Sequence, residues 1–159
     1  HHQPRRQRQM CIRDSYKIEL MSLITISLGS NINPSENLKK ALDEISKFSK
    51  IKIISKIYKS KSVGFEGDDF LNQVIVCEVN SNLNQTYLQL KTIEKEMGRE
   101  RNIEKFSDRL IDLDLLTFND EIHNEEITIP HPDILKYAFV LVPLAEICPK
   151  LIHLSLIHI

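Results

Sequence analysis

The sequence is poor in the features that mark several large classes of protein. Its three cysteines, Cys11, Cys77 and Cys148, lie far apart and form no Cys-x-x-Cys pair, so neither a zinc site nor a disulfide framework is indicated. A reducing cytosol suits such a chain. No apolar run is long enough to cross a bilayer. The formal net charge of -1 also excludes a strong field that would draw the chain to nucleic acid or an anionic membrane.

Glycine-rich phosphate-binding motifs are absent as well. Only four glycines occur, and neither G-x-x-x-x-G-K-[ST] nor G-x-G-x-x-G is present. Two of the four, Gly64 and Gly67, lie in the polar segment "KSVGFEGDD", which predicts a mobile loop over Ser60–Asp69. A bound nucleotide would therefore depend on arginines and a metal ion rather than on glycine backbone.

What is present is an ordinary globular composition, 42% hydrophobic and 27% charged, in 159 residues that suit one domain. The two ends of the chain do not have this globular character. Residues 1–20 are rich in arginine and lack an apolar period, as in a basic tail or a transit peptide. However, "MCIRDS" and the final "LSLIHI" resemble translated sequencing-adaptor read-through. We therefore expect a non-native or disordered leader over 1–20, the domain over 21–153 and a non-native tail over 154–159.

Hydrophobic periodicity predicts four strands and two helices. Strand-like runs are Leu23–Gly29, Ile51–Ser60, Phe70–Val79 and Leu110–Phe118. One helix is predicted after Asn33 as cap, with Pro34 at its first position, and a second over Gln85–Met97 with Asn84 as cap. The resulting order predicts an α+β fold, a ferredoxin-like βαββαβ sandwich with its helices on one sheet face. Extra strand and helix elements are expected at an edge, from the C-terminal end of the chain.

Two carboxylates interrupt the last predicted strand. Carboxylates are disfavoured in strands and costly to bury, yet "LIDLDLLTF" places Asp112 and Asp114 two residues apart, so both project from one face. A solvated face would explain them, but Leu116 and Phe118 are expected on that same face. Magnesium binds through one or two carboxylates together with substrate phosphates, so a metal site is the alternative.

Cations next to the aspartates favour the metal and phosphate interpretation. The segment "GRERNIEKFSDR" supplies Arg99, Arg101, Lys105 and Arg109 directly before the strand. Arginines that compensate a helix dipole would explain Arg99 and Arg101 but not Arg109. The later "PHPD" adds His131, which by itself is typical of an ordinary loop histidine.

Six segments then occur in a characteristic order: "ISLGSNINP", "IYKSKSVGFEGDDFLNQ", "IEKEMGRERN", "DRLIDLDLL", "IPHPDI" and "FVLVPLAEICP". Together they resemble the 6-hydroxymethyl-7,8-dihydropterin pyrophosphokinase family (2-amino-4-hydroxy-6-hydroxymethyldihydropteridine diphosphokinases) of folate biosynthesis, from about Ile24 to Pro149. Such enzymes have a ferredoxin-like fold, transfer the terminal pyrophosphoryl group of ATP to the hydroxymethyl oxygen of the pterin, and release AMP.

The resemblance implies a role for each matching residue. The catalytic set is Arg101, Arg109, Asp112 and Asp114, in which the two aspartates hold two magnesium ions on the ATP phosphates. The ATP site is matched by Glu94, Arg101, Arg109, Leu115, Thr128 and His131. The pterin site is matched by Ser60, Val63, Phe70, Asn72 and Phe139, of which the two phenylalanines stack on the ligand although taken alone they would be ordinary core residues. ATP and the pterin are the expected partners of a cytoplasmic monomer that binds neither nucleic acid nor membrane.

Several departures from the family pattern concern ATP. Residues 105–108 stand where many members have Arg-Trp-Gly-Pro, Lys61 and Ser62 replace prolines, and Glu126 and Tyr137 stand where some or most members have arginine. Two other functions stay open. One is a ferredoxin-like ligand-binding or RNA-recognition module, although aspartates on the sheet would repel RNA. The other is an inactive, truncated homologue.

Overall fold

The computed structural model describes residues 21–98 and 109–150 and has the predicted ferredoxin-like α+β architecture. Its strands are β1 (Ser22–Ser30), β2 (Ser49–Ile54), β3 (Tyr58–Ser60), β4 (Phe70–Val79), β5 (Asp112–Phe118), β6 (His123–Asn124) and β7 (Thr128–Ile129). Its helices are α1 (Pro34–Ser46), α2 (Leu83–Met97), α3 (Asp133–Lys136) and α4 (Ala138–Ile147). The predicted leader and tail lie outside the described residues.

The main sheet is antiparallel, in the order β2-β4-β1-β5, and β3 also pairs with β4. Helices α1 and α2 cover one face, where their apolar stripes meet the inward residues of the strands. This core contains Leu38, Ala41, Ile45, Leu90 and Ile93 from the helices and Ile24, Ile26, Leu28, Ile75, Leu113 and Leu115 from the sheet. Within the described ranges, no helix has the length and hydropathy needed to cross a membrane.

The C-terminal helices lie over the second face of the sheet rather than beside an edge strand. Val74 of β4 and Leu116 of β5 form a second apolar cluster with Ile134, Val140 and Leu144 of α3 and α4. Only β6 and β7 form a separate two-stranded ribbon. Because α4 covers this face, the sheet does not offer the open platform on which RNA readers stack bases.

A β-bulge in β5 places Phe118 on the sheet face opposite the two aspartates, whereas the sequence predicted it on the same face. Ile26 pairs with Leu115 and Thr25 pairs with Thr117, so Leu116 is an extra residue in β5. Leu116 packs under α4, whereas Phe118 returns to the core beneath α1 and α2. The prediction was wrong for Phe118 because a period of two cannot be extended past an inserted residue.

Both helix caps differ from the sequence expectation. Asn33 precedes α1 in a left-handed conformation, φ 40° and ψ 52°, and its side chain makes no capping hydrogen bond. The cap of α2 is Asn82 instead of Asn84, because Asn82 and Gln85 bond reciprocally: Gln85 N donates to Asn82 Oδ1 at 2.9 Å, and Asn82 N donates to Gln85 Oε1 at 3.1 Å.

The single strand predicted over Ile51–Ser60 is split at Ser55. This buried serine donates its backbone N–H to Val74 O at 2.9 Å, while its Oγ accepts from Val74 N at 2.9 Å. A side-chain oxygen thus takes the place of a strand carbonyl, and Gln73 Nε2 donates to Ser55 O at 3.0 Å. The chain therefore leaves the ladder after β2 and rejoins β4 as β3.

Candidate active site

A single cleft brings the predicted pterin and aspartate residues together. It has a volume of about 280 Å³ and is lined by all five predicted pterin residues, namely Ser60, Val63, Phe70, Asn72 and Phe139. Arg109, Asp112 and Asp114 line the same cleft. Residues as far apart in the chain as Ser27 and Val140 thus meet, because β1, β4, β5 and α4 all contribute to one end of the sheet.

Strand register explains why these residues meet. Gly29 of β1 pairs with Asn72 on one side and with Asp112 on the other, so the three form one row across the sheet. A Cβ at residue 29 would lie 3.3 Å from Asn72 Oδ1 and 3.8 Å from Phe70 Cδ1. Glycine therefore keeps the floor of the cleft open between the aromatic end and the carboxylate end. The sequence showed Gly29 only as the end of a strand.

Asn72 is held in one orientation by β3. Its Nδ2 donates to Tyr58 O at 3.1 Å and to Ser60 Oγ at 2.7 Å, which uses both amide protons. Its Oδ1 is therefore the atom that can accept a hydrogen bond from a ligand N–H. Ser60 in turn can donate its hydroxyl proton into the cleft.

The aromatic side of the cleft includes Tyr137, which was not predicted as a pterin residue. Tyr137 stacks on Phe139, with ring centroids 4.9 Å apart and an interplanar angle of 18°, and both rings line the cleft. Phe65 also lines it and meets Phe70 edge to face at 6.3 Å. Lys136, the other cation of this segment, lies with its Nζ 5.3 Å from the centre of the Tyr137 ring.

The two aspartates differ in environment. Asp112 is exposed, whereas Asp114 is half-buried. Burial raises the pKa of Asp114 to about 6, and the charge of Asp112 adds to the rise, while His131 and Lys91 oppose it. Both carboxylates are hard oxygen donors on one face, and a bound cation would offset the cost of ionising the half-buried Asp114.

Helix α2 fixes the backbone between the two aspartates. Glu94 Oε1 accepts from Leu113 N at 2.6 Å, and Lys91 Nζ donates to Leu113 O at 3.4 Å. Among the described strands β5 is at the edge of the sheet, so this pair satisfies backbone groups of Leu113 that no other described strand reaches. Lys91 is also 3.4 Å from Glu94 and 4.0 Å from Asp114. Burial raises the pKa of Glu94 to about 7 despite the nearby ammonium of Lys91.

His131 lies beside Asp114 and Asp133, and Asp133 was not predicted as a site residue. The backbone N–H of His131 donates to Leu116 O at 2.8 Å. Its ring Nδ1 accepts from Asp133 N at 3.1 Å, and its ring Nε2 faces Asp114 Oδ1 at 3.8 Å. One ligand atom each from Asp114, His131 and Asp133 lies within 4.8 Å of the others. The position of Asp133 two residues after His131 in "PHPD" was the available signal.

Of the predicted ATP residues that the structure describes, Arg109 lines the cleft, whereas Glu94, Leu115, Thr128 and His131 do not. The Leu115 side chain is buried beneath α1 and α2, on the sheet face opposite the aspartates. Thr128 is exposed on β7 and Glu94 lies behind β5, so neither lines the cleft. Arg101 lies outside the described residues. Arg109 is anchored by its backbone, because its N donates to Asn31 Oδ1 at 2.7 Å and its O accepts from Asn31 N at 3.1 Å.

Fold and cleft together define a ferredoxin-like α+β protein in which aromatic side chains and a pair of carboxylates line one cleft. The family model of 7,8-dihydro-6-hydroxymethylpterin-pyrophosphokinase (HPPK) matches residues 25–149. The chain belongs to this family.

Relatives agree with the family assignment, and a solved structure agrees with the fold. A 2-amino-4-hydroxy-6-hydroxymethyldihydropteridine pyrophosphokinase from Aquifex aeolicus is 36% identical, over 84% of this chain and 84% of the relative. One of the same name from Haemophilus influenzae is 40% identical, over 80% of this chain and 82% of the relative. A crystal structure of Plasmodium falciparum HPPK-DHPS with pteroate superposes with a TM-score of 0.65 at 15% identity, which supports the fold alone. The superposition covers 82% of this chain and 40% of that one.

Proposed function

We propose that the protein transfers the pyrophosphoryl group of ATP to the hydroxymethyl oxygen of 6-hydroxymethyl-7,8-dihydropterin and releases AMP, in folate biosynthesis. One observation carries the proposal: aromatic rings and a pair of aspartates line the same cleft. Gly29 lies at its floor, paired with Asn72 on the aromatic side and with Asp112 on the carboxylate side. A flat heterocycle at one end would place its substituent toward the carboxylates at the other.

The aromatic end has the chemistry to bind a pterin. Phe70 and Phe139 line it, and rings of this kind bind flat heterocycles by stacking. Asn72 Oδ1 can accept from the N–H groups of a 2-amino-4-oxo pyrimidine ring, since both of its amide protons are already committed to Tyr58 O and Ser60 Oγ. A few fixed polar groups in an apolar slot give orientation as well as affinity.

The carboxylate end has the chemistry to bind magnesium and phosphates. Asp112 and Asp114 offer hard oxygen donors on one face, and we propose that they hold the magnesium ions, with Arg109 beside them as a phosphate contact. When bound, the magnesium ions neutralise phosphate charge and act as Lewis acids on the transferred group. Glu94 and Lys91 hold the peptide between the two aspartates, which preorganises the pair.

The oligomeric state and the cellular location are two further proposals. The described residues of one chain supply both ends of the cleft, so we propose that the enzyme acts as a monomer, which light scattering of the purified protein tests. Cys77 and Cys148 are free thiols, which suits the reducing cytoplasm that we propose as its location.

The proposed reaction is tested by following AMP with ATP, magnesium and 6-hydroxymethyl-7,8-dihydropterin. We expect AMP to form only when all three are present. A protein that binds ATP and magnesium but forms no AMP with the pterin would contradict the proposal and would favour an inactive homologue.

The aspartates are tested by Asp112→Asn and Asp114→Asn. Each should lower kcat by about 10²–10³, the scale of losing a metal or preorganised charge in the transition state, with pterin affinity nearly unchanged. Asp120→Asn, an exposed aspartate in the turn after β5, serves as the matched control and should keep parental turnover. Near-parental turnover of either active-site variant in magnesium would remove the aspartates from the reaction.

A further inference from the structure

A carboxylate at the far end of α4 holds the segment that orients Asn72. Glu146 lies one residue before the end of this helix. Tyr58 Oη donates to Glu146 Oε1 at 2.5 Å, and the backbone N of Lys56 donates to both carboxylate oxygens at 3.2 and 3.3 Å. One side chain thus receives bonds from two residues of the segment between β2 and β4.

The held segment is the one that fixes Asn72. Tyr58 supplies the carbonyl that accepts from Asn72 Nδ2, and Ser60 two residues later supplies the hydroxyl that accepts the second proton. At the other end of this segment, Ser55 replaces a strand carbonyl of the β4 ladder. Strand β3 has only three residues, so its own pairing with β4 gives it limited rigidity.

The same helix also carries one of the pterin-stacking rings. Phe139 lies at the second position of α4, seven residues before Glu146, or about 10 Å along the axis at 1.5 Å per residue. Helix α4 therefore contacts both sides of the cleft: it presents Phe139 directly and reaches Ser60 and Asn72 through Glu146 and Tyr58. Helix α4 is continuous from Ala138 to Ile147, with Pro143 between Phe139 and Glu146, so the two sides of the cleft are attached to the same element.

We propose that Tyr58 and Glu146 are positioning residues for the pterin: their contact docks β3 on α4 and sets the spacing between Phe139 and the Ser60–Asn72 pair. The inference rests on the proposed function. Neither side chain lines the cleft, so both act through Ser60 and Asn72. Because the contact is at the surface, its contribution is geometric and its loss should leave the protein folded.

The variants are Tyr58→Phe, which removes only the hydroxyl, Glu146→Ala, and the two combined. Fluorescence titration with 6-hydroxymethylpterin should give a Kd raised about three- to tenfold in each single variant, the scale of one misplaced hydrogen bond. The ATP Kd should stay within about twofold. The double variant should resemble Glu146→Ala, because both changes break the same contact. Glu146→Gln keeps an acceptor oxygen and should lie nearer the parent.

The matched control is Glu44→Gln, which removes a partly exposed carboxylate of α1 that pairs at 2.7 Å with Lys47, the residue after the helix. It should leave both Kd values unchanged. A parental pterin Kd in folded Tyr58→Phe and Glu146→Ala would overturn the inference. Equal weakening of pterin and ATP binding would overturn it as well, because it would indicate a general loss of structure around the cleft.

A second measurement does not need any ligand. In the free protein, both side-chain amide protons of Asn72 are bonded, and NMR should show them exchanging with water more slowly than in Tyr58→Phe or Glu146→Ala. Equal exchange in parent and variants would contradict the positioning role. If the parent fails to bind the pterin at all, the proposed function is wrong, and the exchange rates still decide whether the contact positions Asn72.

Discussion

At the scale of single residues, Tyr137 is the departure from the family with the clearest consequence. Its ring lines the cleft and stacks on Phe139, while the neighbouring Lys136 ammonium lies over the ring. A tyrosine can donate one hydrogen bond but brings no charge to a triphosphate, whereas an arginine brings a charged planar fork. Lys136 is the neighbouring cation, on a flexible stem.

We expect Tyr137→Arg to lower the KM for ATP severalfold to tenfold, because a charge-assisted bond contributes about 1.5–3 kcal/mol against about 1 for a neutral one. The planar guanidinium can stack on Phe139 as the tyrosine does, so pterin affinity should change little. Steady-state kinetics with each substrate varied will measure both effects.

Two further variants separate the roles of the neighbours. Tyr137→Phe keeps the stacked ring and should leave the KM for ATP unchanged, whereas a large rise in Lys136→Ala would mean that the lysine contacts the triphosphate. If neither Tyr137→Arg nor Lys136→Ala moves the ATP kinetics, this position does not meet the phosphates.

At the scale of elements, the segment from Ser60 to Asp69 between β3 and β4 has the features of a lid. It contains Gly64 at φ 83°, and Ser62 Oγ donates to Phe65 O at 2.8 Å inside the loop. Asn31, the residue after β1, donates its Nδ2 to Asp68 O in this loop at 3.2 Å. Phe65 already faces the cleft, so closure would add an aromatic surface over the substrates.

We expect fast amide hydrogen exchange in this loop in the free protein and slower exchange with the pterin plus a non-hydrolysable ATP analogue, because closure orders the backbone. Amides of β1, buried in the middle of the sheet, provide an internal reference that ligands should hardly change. Equal protection of the loop with and without ligands would mean that it is fixed and does not gate the reaction.

At the scale of the whole molecule, stability depends on two apolar layers, one on each face of the sheet. The second layer is small, and its fully buried Leu144 joins α4 to Val74 and Leu116. Losing this layer would release the helix that carries Phe139 and Glu146. The layer is therefore needed for the shape of the cleft as well as for folding.

Leu144→Ala should lower the free energy of unfolding by about 2–4 kcal/mol, through lost burial and the cavity that remains. Urea unfolding followed by circular dichroism measures it. Leu88→Ala on α2 is the matched control, since Leu88 is 62% exposed, and it should change stability by less than about 0.5 kcal/mol. Equal effects of the two changes would show that α4 does not pack on the sheet as described.

Prediction from sequence succeeded where the deciding contacts are short in range or where a whole constellation matches a known family. The order of strands and helices along the chain followed from alternating and helical periods. The cleft contains every residue matched to the pterin site, and their role in binding stays a prediction. The cap of α2 was misplaced by two residues, because both Asn82 and Asn84 have capping side chains and only the reciprocal bond with Gln85 distinguishes them. The split at Ser55 was missed because a buried serine in a β-branched run has no local signal.

The sequence by itself determined the spacing and chemistry of Asp112 and Asp114, the start of α1 at Pro34 and the order of the elements, since each depends on neighbours within one turn or one strand. Only the tertiary structure decided that Gly29 lies between Asn72 and Asp112, that a bulge turns Phe118 away from the aspartates, and that α4 covers the second face. These features depend on register and packing between segments far apart in the chain. A local hydrophobic period does not specify which distant residue will pair with a given strand residue.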